Sequence, residues 1–115
     1  MKIIIAGSRG FTNYNILKKY LDTIIENMDI EEIVSGGARG VDRLGERYAH
    51  ENNITLKIFP AEWNTYGRSA GYKRNALMGN YADGVIAIWD GVSRGTKHMI
   101  DYMHKLNKKV TIFNI

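Results

Sequence analysis

Four apolar runs, each followed by a turn and then by residues at helical spacing, constrain this chain more than anything else in it. The first, residues 2–6, reads Lys-Ile-Ile-Ile-Ala. It is continuous rather than alternating, so both faces of the strand it forms must be buried, as in a parallel sheet covered by helices. This run is expected to be the central strand. Residues 32–35, 54–59 and 82–89 follow as further strands, and residues 109–113 close the chain as a fifth. Between them, Ile16, Leu17, Tyr20, Leu21, Ile24, Ile25 and Met28 recur at helical spacing, with Thr12 or Asn13 as N-cap. Val41, Leu44, Tyr48 and Ala49 mark a second helix ending near Asn52 and Asn53. Ala70, Leu77, Met78 and Tyr81 mark the inner side of a third, and Met99, Ile100, Met103 and Leu106 that of a fourth. The order predicts an α/β fold, a doubly wound parallel five-stranded sheet with helices on both faces. With 115 residues, the chain reads as one domain over 1–115.

In such a sheet the turns leaving the carboxyl ends of the strands lie along one edge, and ligands bind where the strand order reverses. Three of these turns carry glycine. They are Gly7-Ser8-Arg9, then Ser35-Gly36-Gly37-Ala38-Arg39-Gly40 with Asp42 behind it, then Asp90-Gly91-Val92-Ser93-Arg94-Gly95-Thr96. Glycines in a strand-to-helix turn let backbone N–H groups converge on an anion, and the helix behind adds its positive end. A phosphate is the expected occupant, with Arg9, Arg39 and Arg94 as countercharges and Ser93 or Thr96 as hydroxyl donors or caps. Asp42 is an acceptor for a ribose or amide hydrogen. A plainer reading also stands: the glycines only make tight connections, and Asp42 only stabilises a helix start. No turn matches the three-glycine dinucleotide fingerprint or the Gly-Lys-Ser/Thr phosphate loop.

The stretch 60–71 reads as the longest irregular piece, with Trp63, Tyr66 and Arg68 exposed in it for function. Arg74 falls on the inner side of the following helix, so it must pair with an internal carboxylate such as Asp83 or reach the ligand cleft. Asn75 projects about a quarter-turn away. His98 and His104 read as solvent-facing, His50 as a surface residue, and no histidine–carboxylate spacing points to a metal.

The chain has no cysteine, which excludes disulfides and thiolate chemistry. Its apolar start is too short for a signal peptide or a membrane span, so a cytoplasmic protein with no membrane partner is expected. The net charge is +4, and residues 58–115 hold all of the excess, with eight basic and four acidic side chains against eight and eight in residues 1–57. An anionic ligand is the partner such a bias implies. Self-association as a homodimer or larger homo-oligomer is left open by the amphipathic helices.

Gly7-Ser8-Arg9 with Phe11, Gly36-Gly37-Ala38-Arg39-Gly40-Val41-Asp42, Trp63 with Tyr66-Gly67 and Ala70-Gly71, Arg74-Asn75 with Met78, Ala82-Asp83, and Trp89-Asp90-Gly91 with Ser93-Arg94-Gly95-Thr96 together resemble the YspA-like family of SLOG domains. The resemblance runs through nearly the whole chain. It implies a compact Rossmann-like domain of bacteria and phages that binds a nucleotide or nucleotide-derived molecule, related to ADP-ribose or NAD. The wider superfamily includes the lonely-guy phosphoribohydrolases, with the signature Pro-Gly-Gly-x-Gly-Thr-x-x-Glu. Here Gly95-Thr96-Lys97-His98 is followed by Met99, so the acidic position holds a thioether, and Asp90-Gly91-Val92-Ser93-Arg94 replaces the lead.

Three functions follow in order. The first is a ligand-binding module, a sensor acting with an effector protein and needing no cofactor beyond its nucleotide-derived ligand, with Trp63 or Tyr66 stacked on a base. The second is a nucleotide N-glycosidase, with Asp42 or Glu46 as the catalytic carboxylate. The third is binding of single-stranded nucleic acid, weakened by basic residues that do not interleave with aromatics.

Overall fold

A computed structural model describes all of residues 1–115. Five strands form one fully parallel sheet: β1 (Lys2–Gly7), β2 (Glu32–Ser35), β3 (Thr55–Ile58), β4 (Gly84–Trp89) and β5 (Lys109–Asn114). Their spatial order is β3-β2-β1-β4-β5, so β1 is central. Ile3, Ile4 and Ile5 are essentially solvent-free because successive side chains enter opposite cores. Ile3 and Ile5 pack with Leu17, Leu21, Ile33, Tyr48 and Ile88 beneath α1 (Tyr14–Ile25) and α2 (Val41–Glu51). Ile4 and Ala6 pack with Val34, Met78, Val85, Met99 and Met103 beneath α4 (Ala70–Tyr81) and α5 (Arg94–Lys105). The fold is the expected one, doubly wound with helices on both faces.

Asn13 caps α1, its side-chain oxygen accepting from the Ile16 amide at 3.2 Å. Met28 lies past the end of that helix yet remains in the core. Residues 60–71 are mostly helical, and only 60–62 lie outside any element. They form the single helical turn α3 (Trp63–Tyr66) and a 3-10 turn over Gly67–Ser69 that runs directly into α4. Leu77 is also placed differently from its expected inward position, being 60% exposed. The buried side of α4 is Ala70, Asn75, Met78 and Gly79, and an added Cβ at Gly79 would lie 2.6 Å from the Tyr102 ring of α5. Close approach of the two helices at a glycine sets the rotation of α4 and turns Leu77 out.

Candidate functional site

The strand order reverses between β1 and β4, whose register pairs Gly7 with Ile88. From those neighbouring ends the chain departs to opposite faces, into α1 and into α5, which opens a crevice between the two turns. The crevice is held shut at its base. A Cβ on Gly7 would lie 2.1 Å from the Ile88 carbonyl oxygen and 2.7 Å from the Val41 side chain. The Ser8 amide donates to Ile88 O at 3.1 Å, and its hydroxyl accepts from the Asp90 amide at 3.1 Å. Its carbonyl accepts from Val41 N at 3.3 Å. Ser8 therefore joins all three turns from below and is buried.

In the second turn, two amides are used by the chain's own side-chain oxygens. Gly37 N donates to Ser35 Oγ at 3.1 Å and Ala38 N to Asp42 Oδ2 at 3.3 Å. Ser35 Oγ in turn donates to Glu46 Oε2 at 2.7 Å. The Asp42 carboxyl thus sits where the sequence pattern places an external anion. Burial pushes its pKa up to about 6, against the pull of the Ala38 amide and the Arg74 charge. Gly36 separates these two groups, since a Cβ there would lie 2.7 Å from the Arg74 guanidinium carbon and 2.9 Å from Asp42 Oδ2. Arg74 turns to the cleft and not to Asp83, whose carboxylate accepts from Lys2 N at 2.8 Å. One guanidinium nitrogen of Arg74 donates to Gly36 O and Nε donates to Asn75 Oδ1 at 3.1 Å. Burial lowers the Arg74 pKa, with Asp42 opposing and Arg9 reinforcing the change.

Asp90 Oδ1 accepts from Val92 N and Ser93 N, both at 2.9 Å, and these bonds hold its carboxyl below the ordinary range. Trp89 Nε1 donates to Ser93 O at 3.1 Å, and Lys97 N to the same oxygen at 3.1 Å opens the helical ladder. The amides of Arg94, Gly95 and Thr96 donate to nothing in the chain. Ser93 caps none of them, because its hydroxyl is 3.2 Å from that of Thr96. Asn75 steadies this helix start, its Nδ2 donating to Gly95 O at 3.1 Å and lying 3.2 Å from His98 Nδ1. His98 is accordingly not solvent-facing. It is half-buried against Tyr72 at 4.5 Å between rings, and burial lowers its pKa.

Two adjoining clefts result. The first, about 390 Å³, is bounded by Gly7, Arg9, Ala38 and Asp42 on one side and by Ser93 to Thr96 on the other. Trp63, Arg68, Tyr72, Arg74 and the buried Asn75 also line it, with Met78 and Met99 among its apolar lining. The second, about 690 Å³, takes Gly36, Gly37, Arg39, Arg43, Glu46, Ile58, Pro60 and Ala61. Arg9, Ala38, Trp63 and Arg74 line both. Of the residues the sequence singles out, Ser8, Ser35, Gly40, Asp90 and Gly91 line neither cleft, and they act as struts and turn formers. Tyr66 also lines neither; the Lys73 ammonium lies 4.8 Å from its ring centre. Sequence reasoning missed Arg43, which lies next to Asp42 but outside the apolar stripe of α2, and Tyr72.

Arg9, Arg39, Arg43, Arg68, Arg74 and Arg94 all line these clefts, six of the seven arginines in the chain, and no lysine does. None of the six is in an ion pair, since the four salt bridges of the chain lie elsewhere. Planar guanidinium forks without carboxylate partners suit phosphate groups better than ammonium point charges would.

Strand order 3-2-1-4-5 with an arginine-lined cleft at the switch point places the molecule among the Rossmann-like α/β domains. The chain belongs to the YspA, cpYpsA-related SLOG family, whose model matches residues 1–66. It is 34% identical over 87 residues to the Gene 61 protein of Mycobacterium phage D29, covering 70% of each chain. In fold it is similar to the X-ray structure of DNA processing protein A (DprA) from Streptococcus pneumoniae, with a TM-score of 0.78 and 16% identity. That likeness takes in 96% of this chain, which spans about half (49%) of the DprA chain. No helix is long and apolar enough to cross a membrane.

Proposed function

We propose that the chain binds a nucleotide or nucleotide-derived molecule of the ADP-ribose, NAD or nucleoside phosphate kind, with its phosphate in the first cleft. The observation that carries this is the set of three amides, on Arg94, Gly95 and Thr96, that have no partner in the chain and stand at the wall of that cleft. They present aligned donors and the positive end of α5 to an anion. Arg94 and Arg9 supply full charges beside them, and the half-exposed Trp63 indole supplies an apolar plate for a base. Membership of a SLOG family agrees with such a ligand. The domain acts as a sensor whose ligand state is read by an effector protein. Because the arginines of the clefts do not interleave with a row of aromatics on which successive bases would stack, this reading ranks above a nucleic-acid track of the kind that the DNA-processing name of the S. pneumoniae protein suggests.

The test is mass spectrometry of small molecules released by denaturing the purified protein, before and after incubation with NAD, ADP-ribose and AMP. An intact nucleotide retained by the native chain and lost in Arg94→Gln supports the proposal. Retention of none of them, in either protein, refutes it.

A second reading has one observation behind it. Asp42 is a buried carboxyl with a pKa raised to about 6, lining the same cleft, and a group so poised can donate or accept a proton near neutrality. On this reading Asp42 serves cleavage of the N-glycosidic bond, and free base with ribose phosphate accumulates. Asp42→Asn would then abolish turnover while leaving nucleotide retention intact. Glu46 suits this role less, being tied to Ser35 in the second cleft.

A further inference from the structure

The second cleft shares Arg9, Ala38, Trp63 and Arg74 with the first, yet it is the larger of the two and the rest of its lining is its own and chemically divided. One wall is cationic, with Arg39 and Arg43; the other is apolar, with Ile58, Pro60 and Ala61. Ile58 is 46% exposed at the end of the edge strand β3 and stands beside Pro60 and Ala61, so the three make one apolar surface open to a ligand. Glu46 is the only carboxylate lining this cleft, and its hydrogen bond from Ser35 occupies one of its oxygens. Arg43 keeps its guanidinium over the turn by donating from Nε to Gly37 O at 3.2 Å, which leaves its terminal nitrogens free. Arg39 makes no hydrogen bond to the chain and is exposed. A cation pair beside an apolar wall is the complement of a phosphate joined to a base. Trp63, Arg9 and Arg74 stand between the two clefts and line both.

We infer that the second cleft is a second nucleotide subsite, and that the molecule the protein takes is a dinucleotide with two phosphates set apart. One phosphate lies at the start of α5, and the other lies between Arg39 and Arg43 with its base on Ile58 and Pro60. Trp63 sits between them, against the nucleoside that separates the two phosphates. A mononucleotide fills only the first cleft. A diphosphate such as ADP adds its charge next to the first phosphate and does not reach Arg39. This inference rests on the nucleotide reading of the first cleft and narrows its ligand class, from molecules whose phosphates adjoin, as in NAD and ADP-ribose, to one whose phosphates are separated by a nucleoside.

Isothermal titration with AMP, ADP and the linear 5′-phosphorylated dinucleotide pApA, at one fixed salt concentration, tests it. The wild-type chain is expected to bind pApA about tenfold or more tightly than AMP, a difference of about 1.4 kcal/mol. Arg39→Gln, and more fully Arg39→Gln with Arg43→Gln, should erase that gain and leave AMP and ADP within about twofold of wild type. Arg39 is exposed and unpartnered, so the single variant keeps the fold even if loss of the Arg43 bond loosens the turn. Binding of AMP with no gain for pApA, or equal weakening of AMP and pApA in Arg39→Gln, would overturn the second subsite while leaving the first cleft standing. Absence of binding by all three would instead refute both readings. A twelve-residue single strand that binds far more tightly than pApA would overturn the dinucleotide in favour of a polymer.

Discussion

Asp42 offers the sharpest test of the electrostatics. Its residue is 6% exposed, and burial is the first cause of a pKa near 6 against 3.8 for the free side chain. A carboxyl moved that far is about 3 kcal/mol harder to ionise in the folded chain than in the unfolded one. The folded state therefore binds more protons than the unfolded state between about pH 4 and 6, and stability from this group falls as pH rises through that window. Above pH 7 the full penalty is present, whereas below pH 4 it is gone. Asp42→Asn keeps an oxygen for the Ala38 amide and removes the charge. The attraction to Arg74 and to the Ala38 and Gly36 amides is already contained in the raised pKa. The variant should thus be about 3 kcal/mol more stable than wild type at pH 7.5 and nearly equal to it at pH 4. Urea unfolding at a series of pH values measures the difference, and other titrating groups cancel in it. A variant less stable than wild type at pH 7.5, with no pH trend in the difference, would show that Asp42 is an ordinary paired carboxylate and that the burial argument is wrong.

Other substitutions probe the struts. Gly7→Ala places a Cβ 2.1 Å from the Ile88 carbonyl, a backbone atom that cannot step aside, and should cost about 3 kcal/mol or more. For 115 residues that lowers the melting temperature by about 12 °C in calorimetry. Asn75→Ala strips partners from Arg74 Nε and Gly95 O, and is expected to weaken AMP binding about fivefold or more in titration, with about 1–2 kcal/mol of stability lost. Lys108→Met should cost about 1–2 kcal/mol in urea unfolding without altering nucleotide affinity. Its ammonium donates to Gly79 O at 2.8 Å and Ala82 O at 2.7 Å, closing the carboxyl end of α4 far from the clefts.

The sheet was legible because its signal is coarse: a run such as Ile3-Ile4-Ile5 has few places to be buried other than a central parallel strand. The edge where the three turns meet was legible for the same reason, since strand order alone brings them together. What each turn does there was not. The amides after Gly36 look like an anion nest in sequence, but Ser35 and Asp42 lie within a few residues and take those of Gly37 and Ala38. The amides of Arg94, Gly95 and Thr96 remain free because Asp90 spends its carboxylate on Val92 and Ser93. That choice depends on side-chain direction, which spacing does not encode. The same is true of Leu77, whose exposure follows from Gly79 on the neighbouring face. Arg74 could be narrowed to two partners from its helix position, and only packing distinguished the cleft from Asp83.

The most direct measurement is a nitrogen-15 amide spectrum of the chain titrated with AMP. Binding at the switch point predicts that the largest shifts fall on the Arg94, Gly95 and Thr96 amides and on the Trp63 indole, with Gly91 and the α1 surface unchanged. Shifts centred on other elements, or none at millimolar AMP, would contradict the assignment of the free α5 amides as the phosphate site.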